Sequence, residues 1–403
     1  MRRLIAILIP VLFLTGSGPL PPQYVYLELP LTDNQQIRAL HEAGFDVGGI
    51  NLEKQTVTIV VEKDEVYRTQ DLPVLSRTEA RAPDSQYKSH REVEEILEKL
   101  SEEYPHLMNL HVIGESIEGR PIYAAQLTAR FVMPVGDRKP TVLFDSMHHA
   151  REIMTPEVTL DIIETLTAEY GKNAKVTDWL NRFEVWVVPM VNPDGNGKVW
   201  ASSSMWRKNT RGGYGVDVNR NYPYDFNSCG GSSGNQHSDT YRGASPGSEP
   251  ETQALMQLAS DIKPKFNISY HSFSEIVIYP FGCQPKQIPS GDRQIYHGVG
   301  NELARRLIRD SGNGSYQAGT SYELLYNVDG GSVDWMYGEE KIMSFVVEIN
   351  SSSQGFQPSY QQWRDRTLKI QRKGWEYILE AMDGPDLPSR QNAYRLPYTP
   401  GEN

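Results

Sequence analysis

The chain has 403 residues, 40 Lys and Arg against 51 Asp and Glu, a net charge of −11 and a mean hydropathy of −0.52. That length is ample for a large core, since a domain of about 300 residues hides around three quarters of its unfolded surface. An acidic balance without a basic block excludes nucleic acid as the main partner, because phosphate contacts need clustered Lys and Arg.

Met1, Arg2 and Arg3, the short apolar run 4–14 and the small residues Thr15 to Gly18 read as a secretory leader over 1–18. The apolar run is too short to cross about 30 Å of hydrocarbon, so no membrane association is expected once the leader is removed. The product is expected to be secreted, extracellular or periplasmic. In an oxidising compartment Cys229 and Cys283 are expected to form one disulfide, the alternative being two buried thiols.

Residues 19–75 carry a strand-like run (Tyr24 to Leu29), a helix-like segment (Asp33 to Glu42) and a second strand (Thr56 to Val61), the makings of a small α+β domain. The polar stretch 76–86, with Arg77, Arg81 and Pro83, reads as a linker open to proteolysis. From Tyr87 to Asp383 strands and helices alternate, which predicts an α/β domain with a mixed, mostly parallel central sheet and helices on both faces. Its first helix, His90 to Glu103, has Val93, Ile96, Leu97 and Leu100 at helical spacing. Strands are expected at Pro121–Leu127, Thr141–Asp145, Glu184–Pro189, Phe266–Tyr270 and Ile342–Ile349. Thr155-Pro156 opens a helix to about Tyr170, and Ser248 with Glu251 has the spacing of a capping box. Residues 384–403 read as an extended tail.

Chemistry in a parallel sheet gathers at the carboxyl ends of its strands. The strand Thr141–Asp145 runs into Ser146-Met147-His148-His149-Ala150-Arg151-Glu152, and Phe266–Tyr270 runs into His271. His149, Glu152 and His271 at adjacent strand ends would give a His₂Glu zinc site with an open position. His148 next to His149 is expected to point away, since successive side chains of a strand face opposite sides.

The surrounding blocks resemble the zinc metallocarboxypeptidases of the carboxypeptidase A type, peptidase family M14, from about Tyr87 to Glu380. They include Ile117–Ile122, Val191–Gly195, Trp206–Arg211, Gly215–Asn221, Tyr241–Gly243, His271–Ser274, Gly330–Trp335 and Phe345–Glu348. The loop at Cys229-Gly230-Gly231 resembles secreted bacterial carboxypeptidase T-like members. The resemblance implies one zinc per chain, a proton-transferring base at Glu348, and Arg211 or Arg207 for the charge developing on the carbonyl oxygen. Animal members have two residues between their arginines where this chain has three between Arg207 and Arg211, and Arg211 is the assignment. Asn219 and Arg220 match the clamp for a C-terminal carboxylate, and Tyr326 the tyrosine that closes over the substrate.

Arg151 is expected to add a substrate contact or to form an ion pair. Val333 stands where the family places an apolar residue for apolar or aromatic C-termini. Ile278, Gly282, Val328 and Val346 look like further pocket positions, while Asp329 could admit a basic side chain or be a plain turn residue. Residues 19–75 stand where a pro-segment would, making the chain a zymogen. The expected product is a monomeric peptidase acting on peptide and protein C-termini. A cell-wall amidopeptidase of the same superfamily, and a non-catalytic binding module, are the alternatives.

Overall fold

Residues 23–129, 139–283 and 285–384 are described by the computed structural model. The leader 1–18 and residues 385–403 of the expected tail lie outside them. Among the described residues no helix is long and apolar enough to cross a membrane.

The N-terminal unit runs β1 (Tyr24–Pro30), α1 (Asn34–Glu42), β2 (Asp46–Asn51), β3 (Thr56–Glu62), a 3₁₀ segment (Lys63–Thr69) and β4 (Ser76–Glu79). Its four strands form an antiparallel sheet in the order β2-β3-β1-β4. β1 alternates strictly, burying Val25, Leu27 and Leu29, the period a half-buried strand imposes. α1 is capped by Asp33, whose carboxylate accepts the Gln36 N–H at 2.9 Å. Two strands and the 3₁₀ segment are not evident in the sequence. β2 contains Gly48-Gly49, and glycine is depleted in strands. β4 corrects the linker expected over 76–86: Ser76 to Glu79 pair with Glu28 to Val25 as an edge strand. All four of its side chains are exposed, so no hydropathy pattern marks it.

The second unit follows with α2 (His90–Glu103), β5 (Met108–Glu115), β6 (Pro121–Leu127), β7 (Thr141–Ser146), α3 (Thr155–Glu169), α4 (Ala174–Arg182), β8 (Glu184–Val188) and α5 (Pro193–Ala201). It continues with α6 (Pro250–Ile262), β9 (Phe266–Ser272), β10 (Ile276–Tyr279), α7 (Ser290–Arg306), β11 (Gln317–Thr320) and α8 (Ser321–Leu324). α9 (Ser332–Gly338), β12 (Met343–Ile349) and α10 (Tyr360–Ala381) complete it.

The strands form one sheet in the order β11-β10-β12-β9-β7-β8-β6-β5. The four central and outer pairings β9–β12, β7–β9, β7–β8 and β10–β11 are parallel; β10–β12, β6–β8 and β5–β6 are antiparallel. One face is covered by α2, α3, α4, α7 and α10 over Phe144, Phe266 and Phe345. The other is covered by α6 and α9 over Leu143, Trp186 and Val188. β7, β9 and β10 are buried along their whole length, as strands covered on both faces are.

The capping box expected at Ser248 does not form. α6 begins at Pro250 after Glu249, which makes no side-chain cap, and the Ser248 hydroxyl donates to the Glu249 carboxylate at 2.8 Å. Glu251 is drawn elsewhere, accepting the Ile117 N–H at 3.0 Å and the Asn209 amide at 3.1 Å.

Candidate active site

β7 and β9 are parallel neighbours with Ser146 beside Tyr270, so the segments leaving their carboxyl ends emerge together. Met147, at φ +56, turns the chain after β7. The next turn is closed by the Glu152 N–H donating to the His149 carbonyl at 3.2 Å. His149 Nδ1 lies 2.7 Å from Glu152 Oε1, His271 Nδ1 lies 3.0 Å from Glu152 Oε2, and the two Nδ1 atoms are 3.1 Å apart. All three side chains are buried, and their donor atoms lie within 4.8 Å of one another.

Burial, with the nearby Arg207 guanidinium, holds His149 down to about 4 and His271 to about 3. Both imidazoles are therefore neutral, the form that offers a lone pair to a metal. His149 Nε2 is 3.2 Å from Asp217 Oδ1. A proton on Nε2 directed at that carboxylate leaves Nδ1 free to ligate. His148 does turn away: its Nε2 pairs with the Tyr222 hydroxyl at 2.9 Å.

β12 lies beside β9 with Glu348 opposite His271, which brings a carboxyl group next to the trio. Burial, then the Glu152 carboxylate, raise the Glu348 carboxyl well above its ordinary range. The long connection 202–249 supplies the cations. Arg207 Nε donates to Asp217 Oδ2 at 3.0 Å, and Arg207 lines the cleft with His149, Glu152, Arg220 and Glu348.

Arg211, the residue assigned from the sequence, lies elsewhere. It faces Glu249, donating from Nε at 2.6 Å, and 36% of its side chain is exposed against 8% for Arg207. The acidic partners decide the matter. Asp217 pulls one guanidinium into the cleft and Glu249 holds the other outside it. Asp217 itself was missed by the sequence reading, although it lies two residues before Asn219 in the quoted block Gly215–Asn221.

The zinc carboxypeptidase family profile matches residues 93–368. The chain belongs to the zinc carboxypeptidase family. Mouse carboxypeptidase A2 is 30% identical to it over 345 residues, covering 83% of this chain and 79% of the relative. Pig carboxypeptidase A1 is 27% identical over 342 residues, covering 83% and 79%. The crystal structure of carboxypeptidase A from Helicoverpa armigera superposes with a TM-score of 0.74 over 91% of this chain and 98% of that one, at 21% identity, a likeness of fold.

This protein is thus a metallocarboxypeptidase, a hydrolase. Two neutral imidazoles and one carboxylate converging on one point are a donor set that zinc takes, so the residues present fit the metal.

The rest of the carboxypeptidase cleft is lined by Asn219, Arg220, Ile278, Gly282, Tyr326, Val328, Val333, Asp334 and Val346. Arg220 is buried, donating from Nε to the Gly231 carbonyl at 3.0 Å and from Nη1 to the Asn219 carbonyl at 2.8 Å. Asn219 Oδ1 accepts the Ser332 N–H at 2.8 Å. Asp329, one of the expected pocket residues, is buried behind this lining with its Oδ2 turned to the N–H groups of Cys229 and Gly231. Asp334, which the sequence reading did not single out, accepts the Gly282 N–H at 2.8 Å, and burial pushes its carboxyl up to about 7. Cys229 and Cys283 are joined in a disulfide.

The N-terminal unit sits on the carboxypeptidase cleft. Val47, Gly48 and Gly49 of β2 line it together with His149 and Glu152. Arg151 makes an ion pair rather than facing the cleft. It grips Asp46 with both terminal nitrogens, Nη2 at 2.9 Å, and stacks over Phe356 at 4.0 Å. The Ile50 N–H donates to Ser274 Oγ at 3.1 Å, and the His41 ring meets the Tyr326 ring at 4.7 Å. A Cβ at Gly49 would fall 2.5 Å from the Phe273 carbonyl oxygen, so only glycine lets the strand lie this close.

Proposed function

We propose that the chain is a secreted carboxypeptidase, made in latent form, that removes apolar or aromatic residues from peptide C-termini. The observation that carries the reading is the buried Asn219–Arg220 pair beside the His149–Glu152–His271 trio. A planar, permanently charged guanidinium suits a terminal carboxylate, and each charged hydrogen bond contributes roughly 1.5–3 kcal/mol.

His149, Glu152 and His271 would hold the zinc, which would supply Lewis-acid chemistry at the scissile carbonyl. Glu348 takes a proton from the attacking water and delivers it to the leaving amine. Arg207 offers its guanidinium to the carbonyl oxygen as charge gathers there. Tyr326 lines the same cleft.

Ile278, Val328, Val333 and Val346 support an apolar preference, because a buried basic side chain needs a countercharge. Asp329 spends its carboxylate on backbone N–H groups. Asp334 is the remaining acid, and with an ionisation near 7 it becomes a countercharge only as the pH rises. The ratio of kcat/KM for Lys-ended over Phe-ended peptides is therefore expected to climb through about pH 7. In Asp334→Asn the same ratio should stay flat, and a climb there would remove Asp334 from the account.

Latency is supported by the seat of β2 on the cleft and by the Asp46–Arg151 pair. Cleavage at the exposed Arg81, beyond β4, would free the N-terminal unit as a complete sheet. The deciding experiment uses paired peptides, one ending in a free Phe and one amidated, digested by the trypsin-treated, zinc-loaded chain. Mass spectrometry should show one residue lost from the free form alone. Equal cleavage of both, or of neither, would refute the terminal-carboxylate reading.

A further inference from the structure

Arg220 is aimed from two sides: Nη1 donates to the carbonyl of Asn219, a lining residue, at 2.8 Å, and the other holder lies behind the cleft lining. Its Nε donates to the Gly231 carbonyl at 3.0 Å, so the place of Gly231 sets the place of the guanidinium. Gly231 is fixed from two sides. Asp329 Oδ2 accepts the N–H of Gly231 at 3.2 Å and that of Cys229 at 3.1 Å. The backbone of residues 327 and 328 packs so closely that a Cβ at Gly231 would fall 2.4 Å from the Asn327 carbonyl oxygen.

The same loop is tied to the cleft wall. Cys229 is bonded to Cys283, the residue after Gly282, and the Val328 N–H donates to the Gly282 carbonyl at 3.1 Å. The Asn327 amide closes the lacing by donating to the Cys229 carbonyl at 3.3 Å. Three loops, around 229–231, 281–283 and 327–329, are thus laced together around the carbonyl that accepts from Arg220. An Asp329 oxygen and the two sulfurs also lie within 4.8 Å of one another, a grouping like a metal trio. Both sulfurs are consumed by the bridge, so the grouping serves as a brace and not as a ligand set.

We propose that Asp329 is a positioning residue that, together with the Cys229–Cys283 bridge, aims Arg220 at the carboxylate of the departing residue. This rests on the reading of Arg220 as the carboxylate clamp. A charged hydrogen bond weakened by misdirection changes substrate affinity more than turnover, because the clamp acts on the bound end of the chain and not on the reacting carbonyl. A misplacement of the order of 1 Å is enough to weaken such a contact.

The test measures kcat and KM for a peptide with a free C-terminal Phe, using the full chain after trypsin treatment. Asp329→Ala should raise KM about tenfold or more while kcat stays within about twofold. Asp329→Asn, which keeps an acceptor oxygen for the two N–H groups, should remain close to the parent. Cys229→Ser combined with Cys283→Ser should raise KM in the same direction. On an Arg220→Ala background, Asp329→Ala should add less than about twofold, since both act through one group.

An unchanged KM in Asp329→Ala, a fall confined to kcat, or full additivity with Arg220→Ala would overturn the proposal. Should Asp329→Ala fail to fold, as judged by its melting curve, the bridge-less variant decides, and a parental KM there is equally fatal. Failure of the underlying reading has a different signature. Arg220→Ala would then leave KM for the free peptide at the parental value.

Discussion

Replacing Arg207 with alanine is expected to lower kcat about 10²–10³-fold, the scale seen when one donor to a developing oxyanion is removed. Arg207 borders the cleft beside Glu152 and Glu348 and is locked to Asp217, which in turn faces His149. Its loss therefore removes a cation and leaves the buried Asp217 carboxylate with only the His149 ring and the Asn219 N–H as partners. Arg207→Lys should recover part of kcat, and zinc content measured alongside will separate lost metal from lost catalysis. Arg211→Ala should behave otherwise. Its partner Glu249 is buried outside the cleft, so the variant should lower Tm while kcat stays within about threefold. Equal kcat losses in the two variants would return Arg211 to the reaction.

The second large effect concerns latency. Asp46→Ala should switch on the uncut chain, raising its peptidase rate about 10²–10³-fold over the uncut parent. Arg151 is 1% exposed, and stripping one partner from a buried pair costs about 3–5 kcal/mol. That cost falls only on the arrangement in which the N-terminal unit covers the cleft, so the uncovered population grows by the matching factor. Gly49→Leu should act in the same direction by driving a side chain against the Phe273 carbonyl. Rates are compared before and after trypsin. If both uncut variants are as inert as the parent while trypsin activates all three, the covering strand is not what restrains the enzyme.

Much of the proposed catalytic centre is legible in the sequence because metal chemistry demands particular side chains at strand ends. His149, Glu152 and His271 meet where the β7 and β9 strands deliver them, and Glu348 arrives one strand over. The choice between Arg207 and Arg211 is not legible from spacing. Where each guanidinium lies is set by Asp217 and Glu249, which lie 10 and 38 residues from their arginines and meet them only in the folded chain. Asp329 looked like a pocket residue because it is close in sequence to Val333, yet its carboxylate is spent on the turn around Gly231. β4 and β2 stayed hidden for a different reason. One is wholly exposed and the other is glycine-rich, so their pairing is dictated by β1 and β3 and not by their own composition.

The parallel alignment of β9 with β12 sets His271 and Glu348 on the same rung. Side chains alternate faces along a strand, so a slip of one residue would swing Glu348 to the far side of the sheet while leaving the hydrogen-bond ladder nearly intact. A chain misaligned in that way would look folded by helix and strand content yet lack the carboxyl proposed as its base. After denaturation and renaturation, specific activity per folded molecule therefore counts the chains that closed these two strands on the correct rung.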